Sequence, residues 1–211
     1  MLSPRNLNFL VNNSSLIEEH IAGIPGDIFI KDYLPKCSEY QKSQIAKEYV
    51  KFNERCMIRL LGDMRSYNYV VIPIHDFDQV IYKIRAIDFD QQSYEGKFSV
   101  YRPQFFKENK PMMDLVKDKL KADSIIQYKI EERSTISRRL IISDDRMNHL
   151  VKIMKQDTIS TAKNIENLKK EIFKFTKEDS FIKSKSMGEL MEKTLEYLKR
   201  NYQNVSLIDL I

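Results

Sequence analysis

From residue 39 to 59 the apolar positions Ile45, Tyr49, Phe52, Cys56 and Met57 recur three and four residues apart, the spacing of one helix face. The period then changes. Residues 69–74 and 80–87 are rich in Val, Ile and Tyr. The polar stretch His75, Asp76, Phe77, Asp78, Gln79 lies between them, which predicts a β-hairpin with a five-residue loop. Helical signals return downstream. Pro111 opens a helix over about 112–120, Asp144 or Asp145 caps one running to Lys155, and 158–177 forms another. Ser186 with Glu189 caps a last helix ending near Asn201. Residues 123–142 are ambiguous, because Ile125, Ile126, Tyr128 and Ile130 partly alternate while Arg133, Arg138 and Arg139 sit among Ser and Thr.

Before residue 39, Ser15 and Glu18 have capping-box spacing ahead of Ile21, which predicts a short helix. Gly23, Pro25 and Gly26 break it, and an extended piece over 27–34 stops at Pro35. These elements add up to an α+β fold that is mainly helical. The chain divides into residues 1–155, of which 1–40 are an irregular lead-in, and a helical extension over 156–211 rich in Lys and Glu. No internal repeat or low-complexity tract interrupts it.

With 211 residues the chain is long enough to bury a sizeable core, and 42% hydrophobic content with 11 Tyr and 11 Phe excludes a disordered polymer. A formal charge of +5, from 35 Lys and Arg against 30 Asp and Glu, is scattered rather than gathered into one run. It permits an anionic ligand without calling for nucleic acid. Cys37 and Cys56 have neither CxxC spacing nor companion histidines, so neither a zinc site nor a disulfide framework is expected. No stretch approaches the roughly 18 apolar residues of a membrane span, so no membrane partner is expected and the chain reads as cytoplasmic.

The chemistry concentrates in one segment. Helix 39–59 runs into Leu61, Gly62 and Asp63, Asn68 follows five residues after Asp63, and Asp88 lies across the hairpin in the triplet Ile87, Asp88, Phe89. Phosphoryl transfer needs a carboxylate to orient or deprotonate the attacking hydroxyl, and oxygen ligands for the magnesium that neutralises phosphate charge. An Asp, an Asn five residues on and an Asp across a hairpin supply those groups.

This pattern resembles the catalytic and metal-binding loops of the protein-kinase-like superfamily. Gly62 stands where ordinary protein kinases carry Arg, and Asp90 where they carry a glycine, so the flavour is that of small-molecule, lipid and toxin-type kinases. The resemblance implies a C-lobe with a catalytic β-hairpin. In it Asp63 is the catalytic aspartate, Arg65 steadies the transferring phosphate, Asn68 and Asp88 bind metal and cofactor, and Mg2+ and ATP are the cofactors. Upstream there is no glycine-rich loop and no strand lysine with a downstream Glu. An N-lobe is therefore expected from another polypeptide or a longer chain, unless the lobe has lost catalysis.

Arg133, Arg138 and Arg139 could grip a phosphate, though a charged surface strand or turn is the plainer reading. His75, Asp76 and Asp78 read as a solvated loop rather than a metal cluster. The alternative function is a non-catalytic pseudokinase-like or helical protein-interaction module, docking a partner through its Lys-rich helices and the apolar residues 205–211.

Overall fold

The structure, a computed structural model, describes residues 9–11, 16–18, 20–77 and 79–203. It is α+β and mostly helical. Strands β1 (Phe9–Val11) and β2 (Leu16–Glu18) pair antiparallel, with Phe9 opposite Glu18. The short helix expected there is therefore replaced by a strand, since the backbone of Leu16 and Ile17 finds its partners in β1. Ser15, its expected cap, lies outside the described residues. A second sheet, in the order β3-β4-β5, is antiparallel throughout and joins β3 (Ile24–Pro25), β4 (Tyr69–Asp76) and β5 (Gln79–Ala86). Its hairpin is tighter than expected. Pairing continues from Tyr69↔Ala86 to Asp76↔Gln79, which leaves residues 77 and 78 as the connection, and Asp78 lies outside the described residues.

The extended piece expected over 27–34 is helical instead. Helix α1 (Gly26–Ile28) continues into a π-turn (Phe29–Tyr33) and a 3-10 turn (Leu34–Lys36) that takes in Pro35. Helical winding sets Phe29, which is fully buried, in a parallel stack with Tyr33 at 6.2 Å and 5.5 Å from Tyr82 of β5. An extended chain would keep Phe29 and Tyr33 on one face but about 13 Å apart, too far to stack.

Helix α2 (Glu39–Ile58) is the spine. Ser38 starts it with a reciprocal capping box, its hydroxyl accepting from Gln41 N at 3.2 Å while Gln41 Oε1 accepts from Ser38 N at 2.9 Å. Ile45, Tyr49, Phe52 and Cys56 are buried against β4, β5 and α3 (Lys110–Lys119) in a first core. A second core gathers α4 (Ala122–Ile142), α5 (Asp144–Gln156), α6 (Ala162–Thr176) and α7 (Met187–Asn201). Ser186 caps α7 by accepting from Glu189 N, as expected, whereas α5 is preceded by Ser143 and carries Asp144 and Asp145 in its first turn. No described helix is long and apolar enough to cross a membrane.

The ambiguous segment 123–142 proves to be one helix, α4. Its inward face is polar as well as apolar, with Lys129, Glu132, Arg133, Ile136, Ser137 and Leu140 buried at helical spacing. Arg133 Nε donates to Glu54 Oε2 at 2.7 Å and Lys129 Nζ lies 3.4 Å from Glu54 Oε1, all three side chains being under a tenth exposed. Beside them Arg55 reaches Glu48 at 2.7 Å, Glu132 at 3.4 Å and the Ile84 carbonyl at 3.1 Å, which ties α2 to both α4 and β5. Arg133 is thus no surface phosphate grip. It is a structural ion pair.

Burial works to raise the Glu54 carboxyl pKa, but Arg133 and Lys129 more than offset it and hold the group below its ordinary value. Glu54→Ala should therefore cost about 3–5 kcal/mol in urea unfolding, because it strands buried cations. Glu39→Ala, which removes an exposed partner of Lys119, should leave the midpoint nearly unchanged. A depressed folded-state pKa adds stability that is present above the unfolded value and lost as pH falls through the folded one. Acid should accordingly weaken the wild type more steeply than Glu54→Gln, as measured by urea midpoints across a pH series.

Candidate active site

Where α2 ends, the chain passes between the two cores. Ile58 and Leu60 belong to the second core, Leu61 and Met64 to the first. To make that crossing, Leu60 and Asp63 adopt left-handed backbone, with φ of 47° and 53°, and Ser93 opposite them has φ of 56°. Asp tolerates this region, while a branched residue such as Leu does so at a cost of about 1–2 kcal/mol. Leu61 pairs antiparallel with Gln92, Ser93 N donates to Leu60 O at 2.7 Å, and Asp63 N donates to Val100 O at 3.2 Å. Gly62 permits the close approach, for a Cβ there would lie 2.9 Å from the Gln91 carbonyl oxygen.

Beyond Asp63 a 3-10 turn (Ser66–Asn68) folds Asn68 back, and its Nδ2 donates to the Asp63 carbonyl at 2.8 Å. Asn68 O in turn accepts from Ile87 N at 3.1 Å, which pins the stretch leading to Asp88 onto the same loop. Underneath sits Asn109, fully buried. Its Nδ2 donates to Met64 O at 2.8 Å and Pro103 O at 2.9 Å, while its Oδ1 accepts from Tyr69 Oη at 3.1 Å. One amide therefore joins the loop, the start of β4 and the lead into α3.

The charges are arranged in a chain. Asp63 Oδ1 accepts from Arg65 Nε at 2.8 Å, Arg65 Nη1 donates to Glu108 Oε1 at 3.0 Å, and the guanidinium lies 5.1 Å from the Phe106 ring centroid. The hydrogen bond to Asp63 pushes Arg65 up from its ordinary value, and Glu108 is held low by its own backbone N–H and by Arg65. Asp88 behaves oppositely. Burial raises its carboxyl; the Asp90 N–H, donating at 3.2 Å, opposes this, but the charges of Asp90 and Asp63 add to the rise. Asp63 and Asp88 are thus electrostatic neighbours although the hairpin separates them in sequence.

The four residues expected from the sequence lie in one place: Asp63 bonded to Asn68 and Arg65, with Asp88 in reach of its field. Arg65 is held between two carboxylates, Asp63 and Glu108. Sequence reasoning missed Glu108 and Asn109, which lie 43 and 45 residues after the Arg65 and Met64 they bond and carry no spacing signal. His75 and Asp76, at the far end of β4, are exposed. Among the described residues no three His, Cys, Asp or Glu side chains converge as a metal site. Magnesium bound with a nucleotide uses only one or two carboxylates besides phosphate oxygens and water, so the donors here have the fitting chemistry. No family description, curated protein or solved structure matches the chain.

Removing the Asp63 charge should lower the Asp88 pKa. In Asp63→Asn the Asp88 carboxyl, followed by 13C NMR, should titrate at lower pH than in the wild type. An unmoved midpoint would mean that the two groups do not face one site.

Proposed function

We propose that the chain is a protein-kinase-like C-lobe that transfers a phosphoryl group from Mg-ATP to a hydroxyl of a small molecule or protein. The observation that carries this reading is the Asn68 amide bonded to the Asp63 carbonyl while Asp63 acts electrostatically on Asp88. It supports a site in which the loop carboxylate and the carboxylate across the hairpin address the same few ångströms.

In this reading Asp63 accepts the proton of the attacking hydroxyl, or orients it, from a backbone locked by Asn68 and Val100. Asp88 and the Asn68 amide oxygen would hold magnesium, which supplies charge neutralisation at the phosphates. Arg65 would leave Asp63 for the transferred phosphate, Glu108 steadying the guanidinium from its other side. The adenine-binding lobe would come from a further polypeptide segment.

The Asp63–Arg65 ion pair favours a second reading, a pseudokinase-like module whose base is permanently engaged. Calorimetry separates the two readings from an unrelated fold. ATP should bind the wild type only with magnesium, and Asp88→Ala should abolish that binding while its circular dichroism stays native. Binding that survives in Asp88→Ala would remove the metal assignment. Magnesium-dependent binding without phosphate release or transfer would select the module.

A further inference from the structure

Between α2, α4, α6 and α7 the second core leaves a cavity of about 160 Å³. Its floor is buried and mostly apolar, formed by Ile58, Phe98, Ile172, Phe181 and Leu198 together with Arg133. Half-buried Met57, Phe175, Thr194 and Asn201 stand at its rim. The candidate active site uses none of these side chains. A close-packed interior keeps few voids larger than a water molecule, and water settles only where several polar partners meet it. A cavity this large with an apolar floor suits an apolar occupant better than water.

Size and lining narrow that occupant. A cavity of about 150 Å³ lined by Leu, Ile and Phe holds one benzene ring, and this one matches it. Phe98 meets Phe175 at 5.2 Å with the planes tilted by 56°, and Phe181 meets Tyr197 edge-on at 6.1 Å. Rings therefore stand in the floor and at the rim, and they offer edges and faces to a further ring. Arg133 is already committed, since its Nε donates to Glu54 Oε2 at 2.7 Å, so an anionic ligand would have to compete with a buried carboxylate. At the rim, Thr194 Oγ1 donates its proton to Leu190 O at 2.9 Å, and Asn201 Nδ2 donates to Tyr197 O at 3.1 Å. That leaves a hydroxyl oxygen and an amide oxygen able to accept from a ligand.

We propose that this cavity binds a small neutral aromatic molecule of the phenol class, its ring among Phe98, Phe175 and Phe181 and its hydroxyl donating to Thr194 or Asn201 at the rim. The site is separate from Asp63 and Asp88, yet it adjoins the elements that hold their loop. Met57 and Ile58 end α2, from which the Asp63 loop departs. Phe98 opens the 3-10 turn (Phe98–Tyr101) whose Val100 O accepts from Asp63 N. A ring seated there packs the end of α2 against that turn and stiffens the crossing from the side of the second core.

The test is 1H–13C methyl NMR of the full chain titrated with phenol, benzene and cyclohexanol, which are alike in size but differ in ring and hydroxyl. Phenol should shift the Ile172 and Leu198 methyls along a saturating curve, both in the wild type and in Asp88→Ala. Benzene, which has no donor, should bind about fivefold more weakly. Cyclohexanol, which keeps the hydroxyl but has no aromatic ring, should also bind more weakly than phenol. Thr194→Val combined with Asn201→Leu should bring phenol down to the level of benzene, and Thr194→Phe, which puts a ring into the cavity, should abolish the response. Should Thr194→Phe fail to fold, Met57→Trp fills the cavity from α2. The absence of any saturable shift would leave a mere packing void and overturn the proposal, as would cyclohexanol binding as tightly as phenol. A response lost in Asp88→Ala would assign the ligand to the candidate active site instead. A response seen only after deletion of residues 204–211 would make that segment the occupant, and would overturn the proposal too.

Discussion

The carboxylate of Glu54 is the constraint on which the rest of the molecule hangs. It lies on α2, which like α4 touches both cores, and it brings Lys129 and Arg133 of α4 into the interior. Apolar packing alone would let α4 rotate or slide against α2, because hydrophobic contact is not directional. A buried carboxylate shared by these two cations, next to Arg55 bridging Glu48 and Glu132, fixes register as well as proximity. The register of α2 then sets where its C-terminal end emerges, and that end is the start of the Asp63 loop.

This arrangement explains what was legible in the sequence. Helix α2 could be read because its first-core face is apolar at three and four residue spacing, and the hairpin because β4 and β5 are rich in branched residues. Helix α4 could not, since half its buried face consists of Lys129, Glu132 and Arg133, which in isolation look solvated. The ionic layer that makes the fold specific is what hides its helix from a hydrophobicity pattern. In the same way the turns over 26–36 resemble a strand until Tyr82, 53 residues after Phe29, supplies the ring that Phe29 packs against. Tertiary partners outrank local propensity there.

The candidate site divides along the same line. Asp63, Asn68 and Asp88 follow a local logic of loop, turn and hairpin, and their order alone suggested that they meet. Glu108, Phe106 and Asn109 do not, because the residues they serve lie about forty positions upstream. An asparagine in a lysine-rich turn gives no sign that its amide will join three segments from a fully buried position.

The strain and the charge of the loop point in the same direction. Leu60, Asp63 and Ser93 hold left-handed backbone within one crossing, and the surrounding bonds from Ser93 N, Asp63 N and Asn68 Nδ2 over-determine it. Such geometry is unfavourable for a plain helix-to-strand connection, which a glycine at position 60 or 63 would ease. The same loop sets the Asp63 charge where it raises the pKa of Asp88, which Asp90 raises as well. Backbone strain and like charge are both held in place by packing from two cores, and neither improves the fold by itself. A cation between the carboxylates would turn the repulsion into attraction without moving the backbone.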